Sequence, residues 1–227
     1  MNRKPEVKPA NATRRLSATC YVQRRQPVMS NASKSFTSMQ ATRSHDCLSV
    51  YLPGFFDKFH CPEAEKGLRI LLPNSILADD HAMAGVTTVQ DGYYNIFLGI
   101  GAYNNLNVHH EIWHAMEYRI TWDKPETFGS WNSLNPDGFH YSEDYFLDDI
   151  WTQAEAKDDW FVRGYSIVNE MEDRATVIEA IFRYDDDWWD QHPHIRAKRD
   201  VLLAAAEPVF GNVYFQESTR QFAKPRY

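Results

Sequence analysis

The spacing of apolar residues predicts several helices after residue 100 of the chain. The first runs from Asn105 to Thr121, and the last from about Pro193 to Ala206. Ser142-Glu143-Asp144 caps a second predicted helix. A third begins near Glu170, with Asn169 as its N-cap. The apolar positions that define these two inner helices are Phe146, Ile150, Trp151 and Ala154 in one, and Met171, Ala175, Ile178 and Phe182 in the other.

Strand signals precede the first helix. Gly67 to Pro73 is an apolar run closed by proline, which predicts a strand. Ala84 to Val89 and Tyr93 to Gly99 flank Gln90-Asp91-Gly92 and predict a β-hairpin with an Asp-Gly turn. Asp123 to His140 is rich in Pro, Gly and Asn and predicts a loop. The pattern therefore indicates one α+β domain, with a small N-terminal sheet before the first helix and a helical C-terminal part after it.

The first predicted helix contains His110-Glu111-Ile112-Trp113-His114, an HExxH motif. An α-helix turns about 100° per residue, so His110 and His114 lie one turn apart on one face and can bind the same metal ion. Glu111 projects beside the open side of that ion. This spacing is typical of zinc peptidases, in which the glutamate takes a proton from a zinc-bound water. The alternative is that two core or surface histidines simply lie four positions apart.

A third protein ligand has to come from elsewhere in the chain, because a catalytic zinc ion keeps its fourth position for water. Glu172 lies in the first turns of the helix that begins near Glu170, and its side of that helix continues through small residues toward Glu179. We therefore expect Glu172 to face the two histidines. Glu170, Asp173 and Glu179 are rival ligands. Glu179 is also placed to hydrogen-bond a ligand histidine and fix its tautomer.

The segments around these residues resemble a known group of enzymes. They resemble the gluzincin metallopeptidases, in particular the catalytic domain of anthrax lethal factor and its relatives. In those proteins HExxH is followed by a helix with an Asn-Glu-x-Glu-x-x-Ala pattern. The stretch from Trp131 to Phe139 is similar to bacterial zinc-binding metallopeptidases of the same general type. The resemblance covers about Leu48 to Phe182. The matching residues of the second pattern are Asn169, Glu170, Glu172 and Ala175.

The resemblance implies a zincin-like fold in which His110, His114 and Glu172 bind one zinc ion and Glu111 is the catalytic base. The family also has a tyrosine seven residues before the ligand glutamate, whose hydroxyl helps to stabilise the oxyanion, and Tyr165 stands at that position. The expected substrate is a peptide or protein, held along the edge of the sheet by backbone hydrogen bonds. The alternative is a module that keeps the zincin-like fold and its metal but cleaves no peptide.

Charge is distributed unevenly along the chain. Residues 1–45 contain nine Lys or Arg and one acidic residue, whereas the whole chain has a net charge of −7. The first segment has few large apolar side chains, so it buries too little surface to offset chain entropy. We expect a flexible basic tail over residues 1–45 and a zincin-like metallopeptidase domain over residues 46–227. A transit peptide or a nucleic-acid arm is the alternative for the tail.

Composition argues against several classes of protein. The part after residue 45 is acidic, which disfavours nucleic-acid binding. No run approaches the roughly eighteen apolar residues of a membrane span, and no apolar segment of signal-peptide type is evident. We therefore expect a soluble protein. Its compartment stays undecided, because many members of the family are exported but no signal peptide is evident here. Cys20, Cys47 and Cys61 lack CxxC spacing and indicate no thiolate metal site, although Cys47 and Cys61 could pair in an oxidising compartment.

Other conspicuous residues are assigned structural roles. His109 lies about 100° from the His110 side of its helix, so we expect it to neighbour the site rather than bind metal. Trp113 and Met116 are expected in the core. Asp185-Asp186-Asp187 lacks the glycine and later glutamate of a calcium loop and is expected to be a solvated acidic turn. The histidines expected on the surface or in loops are His140, His192 and His194.

Overall fold

A computed structural model describes residues 48, 50–78, 81–99, 105–145 and 159–211 of the chain. The tail predicted over residues 1–45, Cys20, Cys47 and the helix predicted around Phe146 to Ala154 lie outside the described residues. The fold combines α and β structure, as the sequence predicts. Its strands are β1 (Leu68–Leu71), β2 (Ile76–Ala78), β3 (His81–Met83), β4 (Gly85–Gln90) and β5 (Tyr93–Leu98). Its helices are α1 (Asn105–Asp123), α2 (Glu170–Arg183), α3 (Asp186–Gln191) and α4 (Pro193–Phe210).

The main sheet has three strands in the order β1-β5-β4. β4 and β5 form the predicted antiparallel hairpin, in which Gln90 pairs with Tyr93. Asp91 and Gly92 lie in the turn with φ angles of 57° and 78°, the left-handed conformation that a two-residue hairpin turn requires at both positions. β1 pairs with β5 in parallel. Within the described residues, β1 and β4 are therefore the edges of this sheet.

A second pair of strands, β2 and β3, was not expected from the sequence. The two strands are three residues long each and run antiparallel, with Ile76 opposite Met83. So short a ladder leaves no alternation of apolar and polar residues that a sequence pattern can show. This pair leads directly into β4.

The predicted helices that carry the motifs are confirmed. α1 extends from Asn105 to Asp123, and α2 begins at Glu170. Asn169 is the N-cap of α2, and its side-chain oxygen accepts a hydrogen bond from the backbone N–H of Glu172. Within the described ranges, no helix has the length and apolar character needed to cross a lipid bilayer.

Two details near the C-terminal end of the described chain differ from expectation. The acidic run Asp185-Asp186-Asp187 is exposed, as expected, but it opens the short helix α3 with Asp185 as its N-cap. α4 continues past Ala206, where the predicted helix ended, because Pro208 does not stop it. Burial of Phe210, which is 1% exposed, offsets the hydrogen bond that a proline cannot donate.

The core is built around α1 and α2, which pack against each other. Every residue from 108 to 117 and from 172 to 180 is buried. Both helices are therefore enclosed on all sides rather than on one apolar face, so their polar residues need partners inside the protein. Trp113 and Met116 lie in this core as expected, at 0% and 3% exposure.

A buried ion pair joins α1 to α2. Arg174 donates from its Nε to one carboxylate oxygen of Glu117, at 3.0 Å, and from a terminal nitrogen to the other oxygen, at 2.7 Å. Trp113 donates to the same carboxylate, and the guanidinium lies over the Phe128 ring, 4.7 Å from its centroid. This two-pronged contact fixes the distance and rotation of one helix against the other. Loss of one partner of such a pair typically costs about 3–5 kcal/mol.

A second buried ion pair fixes α2 against α4. One carboxylate oxygen of Asp173 accepts hydrogen bonds from Lys198 at 2.8 Å, Tyr141 at 2.8 Å and Trp131 at 3.0 Å. The side chains of Asp173 and Lys198 are both 0% exposed. Asp173 was a rival metal ligand in the sequence, but its carboxylate faces this cluster. The cluster holds in place the first turn of α2, where Glu172 lies.

Candidate metal centre

The two histidines of the motif and one glutamate of α2 converge in the core. His110 Nε2 lies 2.9 Å from Glu172 Oε2 and 3.1 Å from His114 Nε2. His114 Nε2 lies 3.5 Å from the same glutamate oxygen. All three residues are buried. Among the described residues, they form the one group of His, Cys, Asp or Glu side chains whose geometry could hold a metal ion.

The positions of these three side chains follow from their helices. His110 and His114 lie one turn apart on α1, with their rings 4.7 Å apart and almost perpendicular. Glu172 lies in the first turn of α2, where Asn169 satisfies its backbone N–H. The ion pair between Glu117 and Arg174 then holds the two helices in register. The carboxylate predicted to complete the site is therefore directed at the histidine pair.

Glu179 makes the hydrogen bond to a motif histidine that the sequence suggested. Its Oε1 lies 2.7 Å from His110 Nδ1 and accepts from Arg163 at 2.6 Å. Because Nδ1 of His110 faces this carboxylate, its Nε2 is directed at the cluster. Burial alone would lower the pKa of His110, but hydrogen bonds and charge from Glu172 and Glu179 raise it to about 10.

The two histidines of the motif differ in their outer contacts. Nδ1 of His114 is buried without a hydrogen-bond partner in the part of the chain that the structure describes. His110 is therefore oriented by a carboxylate at its outer nitrogen, whereas His114 contacts its polar neighbours through Nε2. Both histidines act on the pKa of Glu172. Burial would raise its pKa, but charge on His114 and the hydrogen bond with His110 outweigh burial and hold the pKa well below its usual value.

Glu111 lies beside the cluster, between α1 and the edge strand β4. Its Oε2 accepts a hydrogen bond of 2.7 Å from the hydroxyl of Thr87, which also donates to the backbone oxygen of Glu111 at 3.0 Å. Burial raises the pKa of Glu111, and the charges of His114 and His110 and the bond from Thr87 oppose that rise. Glu111 contributes no atom to the three-residue group. It is a buried carboxylate with one oxygen held by a hydroxyl.

Tyr165 lies next to the cluster. Its ring centroid is 6.0 Å from that of His110, and the guanidinium of Arg163 lies over its ring at 5.1 Å. Burial and the neighbouring charge of Glu172 raise the pKa of Tyr165 far above its usual value. The hydroxyl therefore stays protonated at neutral pH and is a hydrogen-bond donor.

His109 neighbours the site without joining it, as expected. Its Nδ1 lies 2.9 Å from the hydroxyl of Tyr51, and its ring stacks on Phe182 with centroids 3.5 Å apart. His140 and His194 are exposed and His192 is partly buried. Cys61 is buried and free, with its sulfur 3.2 Å from the hydroxyl of Tyr94.

Several neighbours of the cluster were not identified from the sequence. Thr87 and Arg163 lie far from the motif along the chain, so only the fold shows that they contact Glu111 and Glu179. Tyr145 is another such residue, since its ring lies 6.4 Å from that of Tyr165. A polar residue on an edge strand or in a loop gives no periodic signal, and no spacing rule connects it to HExxH.

Comparison of the chain with protein-family models, with curated proteins and with solved structures gives no match.

Proposed function

We propose that the protein is a zinc-dependent metallopeptidase with a zincin-like fold, and that its metal ligands are His110, His114 and Glu172. The observation that carries the proposal is the convergence of these three ligand atoms, delivered by two helices, with the carboxylate of Glu111 next to them. A buried group of two imidazoles and one carboxylate is the ligand set of many catalytic zinc sites.

The spacing of the donor atoms supports a small divalent cation. Ligand atoms at about 2.1 Å from a tetrahedral zinc ion are roughly 3.4 Å from one another. The three separations in the cluster are 2.9, 3.1 and 3.5 Å. A single cation at their centre would contact all three ligand atoms at once. Nitrogen-rich sites of this kind favour zinc over magnesium or calcium, which prefer oxygen ligands.

Zinc bound here would supply a Lewis acid that acidifies a water molecule and polarises a peptide carbonyl. Glu111 is placed to accept the proton of the attacking water and to pass it to the departing amide nitrogen. Its raised pKa makes it a stronger base than an exposed glutamate. The bond from Thr87 holds one carboxylate oxygen, so the other is the atom that handles the proton.

Tyr165 is the proposed donor to the oxyanion that forms on the peptide carbonyl. Its hydroxyl is kept protonated by burial and by the charge of Glu172, as this role requires. The ring lies beside His110, with its centroid 6.0 Å from that of the imidazole, and the charges of Glu172 and Glu111 both act on the hydroxyl.

The edge strand β4 is the proposed support for an extended peptide. Its first residue, Gly85, contacts Glu111, and its other side carries no strand among the described residues. An edge strand offers unpaired backbone N–H and C=O groups to a partner strand. A peptide paired with β4 would lie next to Gly85, the residue against which Glu111 packs.

Peptide hydrolysis with and without metal tests the function. The purified protein is analysed for metal content, and a peptide library is digested by it before and after treatment with a chelator and after zinc is restored. We expect about one zinc per chain and cleavage that disappears with the chelator and returns with zinc. Zinc without cleavage would instead support the non-catalytic metal-binding module, and absence of bound metal would reject both.

A further inference from the structure

Asn169 connects Glu172 to a tyrosine that no motif identifies. Its Oδ1 accepts from the backbone N–H of Glu172 at 3.0 Å, and its Nδ2 donates to the hydroxyl of Tyr145 at 2.6 Å. A backbone N–H can only donate, so the orientation of the amide is determined: oxygen toward Glu172, nitrogen toward Tyr145. One side chain therefore positions both the proposed ligand glutamate and the Tyr145 hydroxyl oxygen.

This arrangement also directs the hydroxyl proton of Tyr145. Because the oxygen accepts from Asn169, its own proton has to point elsewhere, and no atom of the described residues accepts it. The pKa of Tyr145 is raised to about 12 by burial and by the charge of Glu172, with the bond from Asn169 opposing the rise. At neutral pH the group is thus a protonated donor, and no side chain or backbone group of the described residues accepts its proton.

Tyr145 neighbours Tyr165. The two ring centroids are 6.4 Å apart, and Tyr165 in turn neighbours His110 at 6.0 Å. Tyr145 is half-buried, so its ring is packed but can still be reached from solvent. The charge of Glu172 affects both tyrosines. Tyr145 is therefore connected to the metal centre through two neighbours, Tyr165 beside His110 and Asn169 beside Glu172.

We propose that Tyr145 is a second catalytic hydroxyl, which donates a hydrogen bond to the bound substrate next to the metal while Asn169 holds its oxygen. The inference rests on the proposed metallopeptidase function and adds a residue to it. A lone donor at this place would act on the oxygen of the reacting carbonyl or of the neighbouring peptide unit. In either case Tyr145 and Tyr165 share the stabilisation of negative charge that develops on the substrate.

The test uses the full chain with Tyr145→Phe, Asn169→Asp and the double variant. Tyr145→Phe removes the hydroxyl, which is both the proposed donor to substrate and the acceptor of the Asn169 amide. Asn169→Asp keeps the N-cap of α2, because aspartate caps as well as asparagine, but its carboxylate turns the Tyr145 proton toward residue 169. Tyr93→Phe is the matched control, since Tyr93 lies at the turn end of the β4–β5 hairpin, away from Gly85.

Two readouts are taken for each protein. The first is kcat and KM for a peptide that the zinc-loaded protein cleaves. The second is the Kd of acetohydroxamate, a small metal-binding anion, measured by the visible spectrum of the cobalt-loaded protein. We expect Tyr145→Phe to bind metal normally, to lower kcat about 10- to 100-fold with little change in KM, and to weaken acetohydroxamate about fivefold. Asn169→Asp should lower kcat and weaken acetohydroxamate binding by similar factors. The double variant should show no further loss in either quantity.

Other outcomes separate this inference from the proposed function. If the protein binds cobalt and acetohydroxamate but cleaves no peptide, the peptidase proposal fails, and the acetohydroxamate affinity of Tyr145→Phe alone decides the role of Tyr145. Unchanged kcat and unchanged acetohydroxamate affinity in Tyr145→Phe would overturn the inference. Loss of metal in Tyr145→Phe would also overturn it, because Tyr145 would then only support the ligands. A wild-type protein that binds no cobalt would reject both.

Discussion

The carboxylate of Glu111 lies directly against Gly85, the first residue of the edge strand. A methyl group built on Gly85 would overlap Oε1 of Glu111 and would come within 2.8 Å of its carboxyl carbon. Neither atom has room to move freely, because Oε2 is held by Thr87 and the residue is 5% exposed. The missing side chain at residue 85 thus sets where the proposed base sits.

Gly85→Ala is therefore expected to displace Glu111 while the three metal ligands stay in place. We expect zinc content near that of the wild-type protein, and a fall in kcat of about 10²- to 10³-fold because the base is moved from the attacking water. Thr88→Ala is the control, since successive side chains of a strand point to opposite faces and residue 88 faces away from residues 85 and 87. Equal kcat for Gly85→Ala and wild type would show that the contact does not position Glu111.

Much of the fold could be predicted because its signals are local. The Asp91-Gly92 turn, the N-cap Asn169 and the spacing of apolar residues in α2 each depend on a few neighbouring residues. The end of α4 could not be predicted in this way. The helix was predicted to end at about Ala206, whereas α4 runs through Pro208 to Phe210, whose ring packs against the distant residues Phe55 and Phe59.

The site shows the same difference between local signals and contacts of distant residues. His110 and His114 were found from spacing within one helix, and Glu172 from a helix pattern together with a family resemblance. Which acidic residue of α2 faces the histidines depends on the rotation of α2, which is set by the pairs Arg174–Glu117 and Asp173–Lys198. Such pairs join residues far apart in the chain, so a single sequence does not reveal them.

Substitutions of Glu111 and His114 should affect catalysis and metal binding differently. In Glu111→Gln the base is lost but no metal ligand is removed, so we expect zinc content to persist and peptide hydrolysis to fall about 10²- to 10⁴-fold. In His114→Ala a ligand is lost, so both zinc and activity should disappear. Elemental analysis and a peptide assay on the same preparations measure this. Hydrolysis by Glu111→Gln at the wild-type rate would reject Glu111 as the base.

Glu179 should affect metal affinity through His110. Its carboxylate accepts from Nδ1 of His110, and such a contact makes the opposite ring nitrogen a better ligand. We expect Glu179→Gln to weaken zinc binding about 10- to 100-fold in competition with a chromophoric chelator. Glu170→Gln, an exchange of the same kind on a more exposed glutamate of α2, is the control. If both exchanges leave zinc affinity unchanged, the contact between Glu179 and His110 does not support the metal.

His109 should make the metal-free protein less stable as the pH falls. Burial lowers its pKa from 6.5 to about 3, with the charge of Glu179 opposing the shift. Below about pH 6.5 the unfolded chain therefore takes up a proton at His109 that the folded chain does not. The free energy of unfolding then decreases by about 1.4 kcal/mol per pH unit, until the folded form is protonated as well.

Between pH 6.5 and pH 5, comparison of a His109 variant with the wild-type protein isolates this effect, because the other groups that titrate there, such as Glu111 with its raised pKa, are the same in both proteins. The pKa of His110 is raised to about 10, so its folded form is protonated throughout and its unfolded form becomes protonated as the pH falls through 6.5. Glu172 and Glu179 have lowered pKa values, and their contributions are lost only as the pH falls through 4.5 and below. Urea unfolding of the chelator-treated protein across this window should show a smaller pH slope for His109→Gln than for wild type. His194→Gln, an exposed control, should keep the wild-type slope, and equal slopes for all three proteins would mean that His109 is not held neutral in the core.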